Sequence, residues 1–138
     1  MAIHFYSELP KFSLSDTRRT SNWLARIARG EDLKIDSLTY VFCSDAYLRD
    51  LNREYLGKSY LTDILSFEYS DKSTLTGEIY ISIDRVKENA VEYKQPFSTE
   101  LRRVMAHGLL HLIGFKDKTT SQKALMRKKE DACLSLWK

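Results

Sequence analysis

Residues 105–118 read MAHGLLHLIGFKDK. His107 and His111 stand four residues apart, so on a helix they lie ~40° apart in azimuth and one turn apart in height. Two imidazoles placed this way can ligate one metal ion. Gly114 stops such a helix, because glycine takes the left-handed conformation that closes a helix at little cost. The chain can then turn back and carry Asp117 toward the imidazoles. The pattern is H-x-x-x-H-x-x-G-x-x-D. Its spacing is that of the HExxHxxGxxH string, with aspartate in the third ligand position. Three protein ligands leave a fourth position open, which is the mark of a catalytic site rather than a structural one.

Gly108 occupies the place where HExxH enzymes carry their general-base glutamate, which disfavours a conventional metallopeptidase. Glycine there also costs a helix about 1 kcal/mol relative to alanine. A close-packed strand or a substrate backbone would explain the need for space.

Outward from this segment, Ser98 is expected to start the metal-bearing helix, with Glu100 in its first turn and Leu101, Val104 and Met105 facing inward. Thr119 with Gln122 forms a capping box for a last helix whose inner face would be Leu125, Ala132, Cys133 and Leu136. Toward the N-terminus, a short extended piece near Ile3–Tyr6 ends before Pro10. A first helix follows, capped by Ser15 or Asp16 and stopped by Gly30, with Trp23, Leu24, Ile27 and Ala28 on one face.

Leu38 to Cys43 alternate as a strand. Ser44 opens a second helix that Gly57 closes, and Ile64–Tyr69 and Glu78–Ile83 read as an antiparallel pair across a polar connection. Asp84 would cap a third helix that ends before Pro96. Strands early and helices late mean α+β: a small mixed β-sheet covered by about five helices, one of them a zincin-like metal helix.

Composition sets the outer bounds. The 138 residues match one domain, 1–138, and 43% hydrophobic with 30% charged residues is an ordinary globular mix. Cys43 and Cys133 lie outside any CxxC spacing, so they supply neither a disulfide framework nor a cysteine zinc site. With no signal-peptide core and no apolar run of ~20 residues, a reduced, cytoplasmic setting is expected, with no membrane partner. A net charge of +3 permits an RNA or phosphate partner without demanding one.

On these residues the chain resembles the YbeY family of bacterial metal-dependent endoribonucleases. The family hallmark HGxLHLxGYDH is matched by His107-Gly108-Leu109-Leu110-His111-Leu112-Ile113-Gly114-Phe115-Lys116-Asp117. The TDVLSF landmark appears as Thr62-Asp63-Ile64-Leu65-Ser66-Phe67, a GDI-type strand start as Gly77-Glu78-Ile79, and the helix before them carries Leu51-Asn52. Two departures stand out. The family's third metal-binding histidine aligns with Asp117, and its functionally important arginine aligns with Leu56; Arg53, one helical turn away, is a candidate stand-in that the sequence does not require.

The resemblance implies a zinc-dependent hydrolase of single-stranded RNA, acting in rRNA maturation and ribosome quality control, with His107, His111 and Asp117 holding one Zn2+. A metal-bound water would be the nucleophile, unless the ribose 2′-hydroxyl serves. Asp63 and Ser66 are candidates for orienting substrate, against an ordinary turn and strand role. An aspartate ligand predicts a less acidic bound water than an all-histidine site, and hence a higher pH optimum. Iron(II) also suits two imidazoles and a carboxylate. The rival reading is a ribosome-associated assembly factor with a structural metal and little or no nuclease activity.

Arg18, Arg19, Arg26 and Arg29, then Arg102 with Arg103, and finally Lys123, Arg127, Lys128 and Lys129 form basic clusters. Each is either an RNA-tracking surface or a solvated helix face. His4 falls outside ligand spacing, Trp23 and Trp137 read as anchors, and both cysteines as buried thiols without redox duty.

Overall fold

The computed structural model describes residues 2–57, 64–69 and 73–137. Its elements run β1 (Ala2–Ser7), α1 (Thr17–Gly30), β2 (Lys34–Cys43), α2 (Asp45–Leu56), β3 (Ile64–Glu68), β4 (Thr74–Ser82), α3 (Ile83–Glu92), α4 (Phe97–Ile113) and α5 (Thr120–Ser135). The sheet order is β1-β2-β4-β3. β1 and β2 are parallel, β2 and β4 are parallel, and β3 runs antiparallel to β4 along the edge. This is the small mixed sheet expected of the α+β reading. Among the described residues, no helix is long and apolar enough to cross a membrane.

β2 is buried on both faces because helices cover both. Leu38, Tyr40 and Phe42 enter the main core with the apolar faces of α1 and α4, while Cys43 joins Leu48 and Leu65 under α2. In β4 the alternation is cleaner: Leu75, Ile79 and Ile81 point to the main core, and Tyr80 packs with the smaller cluster. α4 is the central helix of the main core. Leu101, Val104, Met105, Leu109, Leu110 and Leu112 are all buried on it, and the Tyr40 hydroxyl donates to the Met105 carbonyl at 2.7 Å.

A Cβ on Gly108 would stand 2.7 Å from Ile64 Cδ1 and 2.8 Å from Ile79 Cγ2. The missing side chain therefore serves close packing of α4 on β3 and β4, the first of the two explanations offered by the sequence.

Several boundaries differ from expectation for physical reasons. Asp16 precedes α1 in a left-handed conformation with φ 54 and makes no side-chain cap, and neither does Ser15; Gly30 is the last helical residue without a positive φ, which Asp32 takes instead. Ser82, not Asp84, caps α3 by accepting from the Arg85 N–H, which leaves Asp84 in the first turn. Pro96 precedes α4, so the helix starts at Phe97 rather than Ser98. Ser44, Gly57 and the Thr119–Gln122 capping box act as read.

The buried face of α5 is Met126, Glu130 and Cys133, while Leu125 is 46% exposed and Ala132 is exposed. The apolar pattern misplaced this face because one of its buried residues is a glutamate.

Candidate metal centre

The last turn of α4 ends where the Gly114 and Phe115 N–H groups both donate to the Leu110 carbonyl, at 3.1 and 3.0 Å, with Gly114 at φ 125. That reversal returns the chain over the helix end. Asp117 Oδ2 then lies 3.2 Å from His107 Nε2 and 3.4 Å from His111 Nε2, and the two Nε2 atoms are 3.1 Å apart. Three donors each ~2.0–2.1 Å from one tetrahedral ion stand roughly 3.3 Å from one another. The observed triangle has that size.

The donor chemistry agrees with the spacing. The His107 Nδ1–H donates to Glu130 Oε2 at 2.5 Å, and Glu130 is 6% exposed. A carboxylate at Nδ1 keeps the proton there, so Nε2 presents its lone pair to the centre of the triangle. With both imidazoles protonated on Nδ1, a cation between the three atoms, which lie within 4.8 Å of one another, would take a lone pair from each Nε2 and one from Asp117. The three side chains are 21%, 31% and 37% exposed, so one side of the group faces solvent.

Glu130 is itself held. Its Oε1 accepts from Arg103 Nη1 at 3.0 Å, and Arg103 Nη2 donates to Asp131 at 2.7 Å. Burial would lower the Arg103 pKa, but the hydrogen bonds to Asp131 and Glu130 outweigh it and the net shift is upward. Glu130 was absent from the sequence reading. Its signal would have been a glutamate on a buried helical stripe, at i+4 from Met126 and i−3 from Cys133.

A pocket of about 420 Å³ opens beside the group, bounded by His107, Asp117 and Glu130 on one side and by Tyr93, Lys123 and Arg127 on others. Ser66 does not line it: it is exposed on β3, opposite Ile79 in register. Asp63 lies outside the described residues. His4 is exposed and stacks near Tyr6, away from the group.

The basic clusters separate in the fold. Arg19 and Arg102 lie over the Trp137 ring at 4.2 and 4.5 Å, Arg103 turns to the acids of α5, and Lys129 pairs with Glu31 at 3.1 Å. Trp23 and Trp137 meet edge to face, and the Trp23 indole N–H donates to the Cys133 carbonyl at 2.7 Å. Both cysteines are buried and unpaired with each other. Burial, then Glu8, Asp84 and Asp45, pushes Cys43 up to about 12, and burial with Glu130 pushes Cys133 up to about 11. Neither is a thiolate near neutral pH.

The family model described as Endoribonuclease YbeY matches residues 6–138. The chain is 49% identical to a protein of that name from Cytophaga hutchinsonii, over 99% of this chain and 96% of the relative. It is 44% identical to the one from Flavobacterium psychrophilum over 91% and 90%, and 35% identical to the one from Bacteroides fragilis over 100% and 99%. A solution structure from Thermotoga maritima shares the fold with TM-score 0.66 at 24% identity, covering 97% of this chain and 87% of that one.

Proposed function

The chain belongs to the endoribonuclease YbeY family, and from that premise we propose that residues 1–138 work as one metal-dependent endoribonuclease on single-stranded RNA, in the maturation of ribosomal RNA on or near the ribosome in the cytoplasm. The observation that carries the reading is the triangle of His107 Nε2, His111 Nε2 and Asp117 Oδ2, with edges of 3.1–3.4 Å. These three side chains would hold the ion. Two imidazoles and one carboxylate at that spacing suit Zn2+, and iron(II) is the alternative. When bound, such an ion polarises a phosphoryl oxygen and lowers the pKa of coordinated water.

The remaining work falls to the chain's own groups. Glu130 keeps the proton on His107 Nδ1, and Arg103 holds Glu130 in place from the other side. Gly108 offers no carboxylate on the helix, so proton transfer does not follow the HExxH peptidase scheme. The pocket lined by His107, Asp117 and Glu130 adjoins the triangle and gives a phosphodiester of an extended strand a place to enter. Leu56, at the position of the family arginine, kept an assembly-factor reading in view; it is not favoured, because the relatives over nearly the full chain bear the endoribonuclease name.

The test is metal content by mass spectrometry on untagged protein, with cleavage of a labelled single-stranded RNA by rigorously nuclease-free preparations. About one zinc per chain and cleavage that His111→Ala abolishes are expected. Absence of metal from freshly purified, unchelated protein, or cleavage indifferent to that substitution, would overturn the reading. A cyclic phosphate on the product would identify the 2′-hydroxyl as the nucleophile, and a 5′-phosphate paired with a free 3′-hydroxyl would identify water.

A further inference from the structure

The pocket beside the candidate metal group has a cationic wall that nothing in that group requires. Lys123 and Arg127 sit at i and i+4 on α5, one stripe with Glu130 three residues further on. Arg127 and Glu130 have the spacing of a helical ion pair, yet Glu130 spends one oxygen on Arg103 and the other on His107. Among the described residues, no acid lies within ion-pair distance of Lys123 or Arg127. The other nearby cations are committed: Arg103 to Glu130 and Asp131, Lys129 to Glu31 and to the face of Phe115 at 4.8 Å.

Charge follows from this arrangement. Glu130 is matched by Arg103, and a divalent ion in the triangle more than offsets Asp117. Lys123 and Arg127 then leave the pocket net positive, open to solvent, and floored by the buried Met126. A point-charge ammonium beside a planar guanidinium suits phosphate oxygens, and no carboxylate on this wall is left free to repel them.

We infer that Lys123 and Arg127 form a phosphate subsite for the RNA backbone, holding a phosphodiester that flanks the one presented to the His107–His111–Asp117 group. This rests on the endoribonuclease reading.

The experiment measures binding of a fluorescent, 2′-O-methylated single-stranded RNA by anisotropy across salt, in the natural protein and in Lys123→Met/Arg127→Met. Metal content and cleavage of the unmodified RNA are measured alongside. Each phosphate contact adds about 0.7 to the slope of log affinity against log salt for a single strand. The double variant should lose about 1.4 of that slope, with metal content unchanged; Lys34→Met, remote on β2, should keep the natural slope.

Should the double variant fail to fold, Lys123→Gln and Arg127→Gln singly should each lose about 0.7. A variant that keeps its metal and the full slope overturns the subsite while natural-protein cleavage leaves the endoribonuclease reading standing. A natural protein that neither binds nor cleaves RNA overturns both.

Discussion

Two carboxylate-centred networks tie distant parts of this chain together, and they end differently. At the α2–α3 junction, Asp45 Oδ1 accepts from the Ser82 hydroxyl at 2.6 Å, both Asp45 oxygens take the Arg85 guanidinium at 3.1 Å, and Asp84 accepts from the Asp45 N–H at 2.9 Å. Arg85 also reaches Glu88 one turn along α3, so this network closes on side chains of its own two helices and the end of β4. At the α4–α5 junction the chain Asp131–Arg103–Glu130–His107 is equally well bonded, but it ends on three acceptor atoms aimed at one another. A closed network contributes to folding. A network that brings two imidazole Nε2 atoms and a carboxylate oxygen to one point has the form of a cation site, the role proposed for it above.

The largest expected effect separates the two outright. Asp117→Ala should cut metal binding and RNA cleavage at least a hundredfold, on the order of losing one of three ligands. The same truncation at Asp45 should leave both intact and lower Tm by several degrees. Metal stoichiometry, cleavage and a thermal melt on the two variants decide it, and a metal-free Asp45→Ala protein would erase the distinction.

Glu130→Gln sharpens the comparison within the open network. The amide retains the shape but loses the charge that fixes the His107 tautomer. Metal affinity should fall by roughly 10–100-fold while His107 and His111 remain. A competitive chelator titration measures this, and affinity equal to that of the natural protein would reduce Glu130 to a packing role.

The smallest effect uses the thiols as reporters, because Cys43 lies near Asp45 and Asp84, and Cys133 near Glu130. Both folded pKa values are raised from an ordinary 9.0, so their contribution to stability is complete below about pH 8 and is lost as pH rises. Between pH 9 and the folded values of about 11 and 12, the unfolded chain has released protons that the native one keeps. The cost is roughly 1 kcal/mol per pH unit for each thiol. Urea unfolding from pH 8 to 11 should show that slope above pH 9, and Cys43→Ala and Cys133→Ala should each remove a share. A slope unchanged in both variants would deny that burial, with the neighbouring carboxylates second, holds the thiols protonated.

Local chemistry made much of this molecule legible. His107, His111, Gly114 and Asp117 span eleven residues, and helical spacing plus one glycine turn dictates how they meet. The capping box at Thr119, the αL stop at Gly57 and the tight packing demanded by Gly108 were readable for the same reason, since each depends on neighbours within a turn or on one missing side chain.

The fold decided what joins residues far apart. Glu130 reaches His107 across 23 positions only because α5 lies against α4. Apolar periodicity placed the inner face of α5 on Leu125 and Ala132, since it has no means of counting a glutamate as buried; Arg103 and His107 make that burial affordable. The order β1-β2-β4-β3 is likewise a tertiary outcome, because strand pairing is set by which faces the helices cover. Spacing along the chain therefore specified the three convergent donor atoms. Packing between helices specified the partner that orients them, because a hydrogen bond between elements exists only once both have been laid side by side.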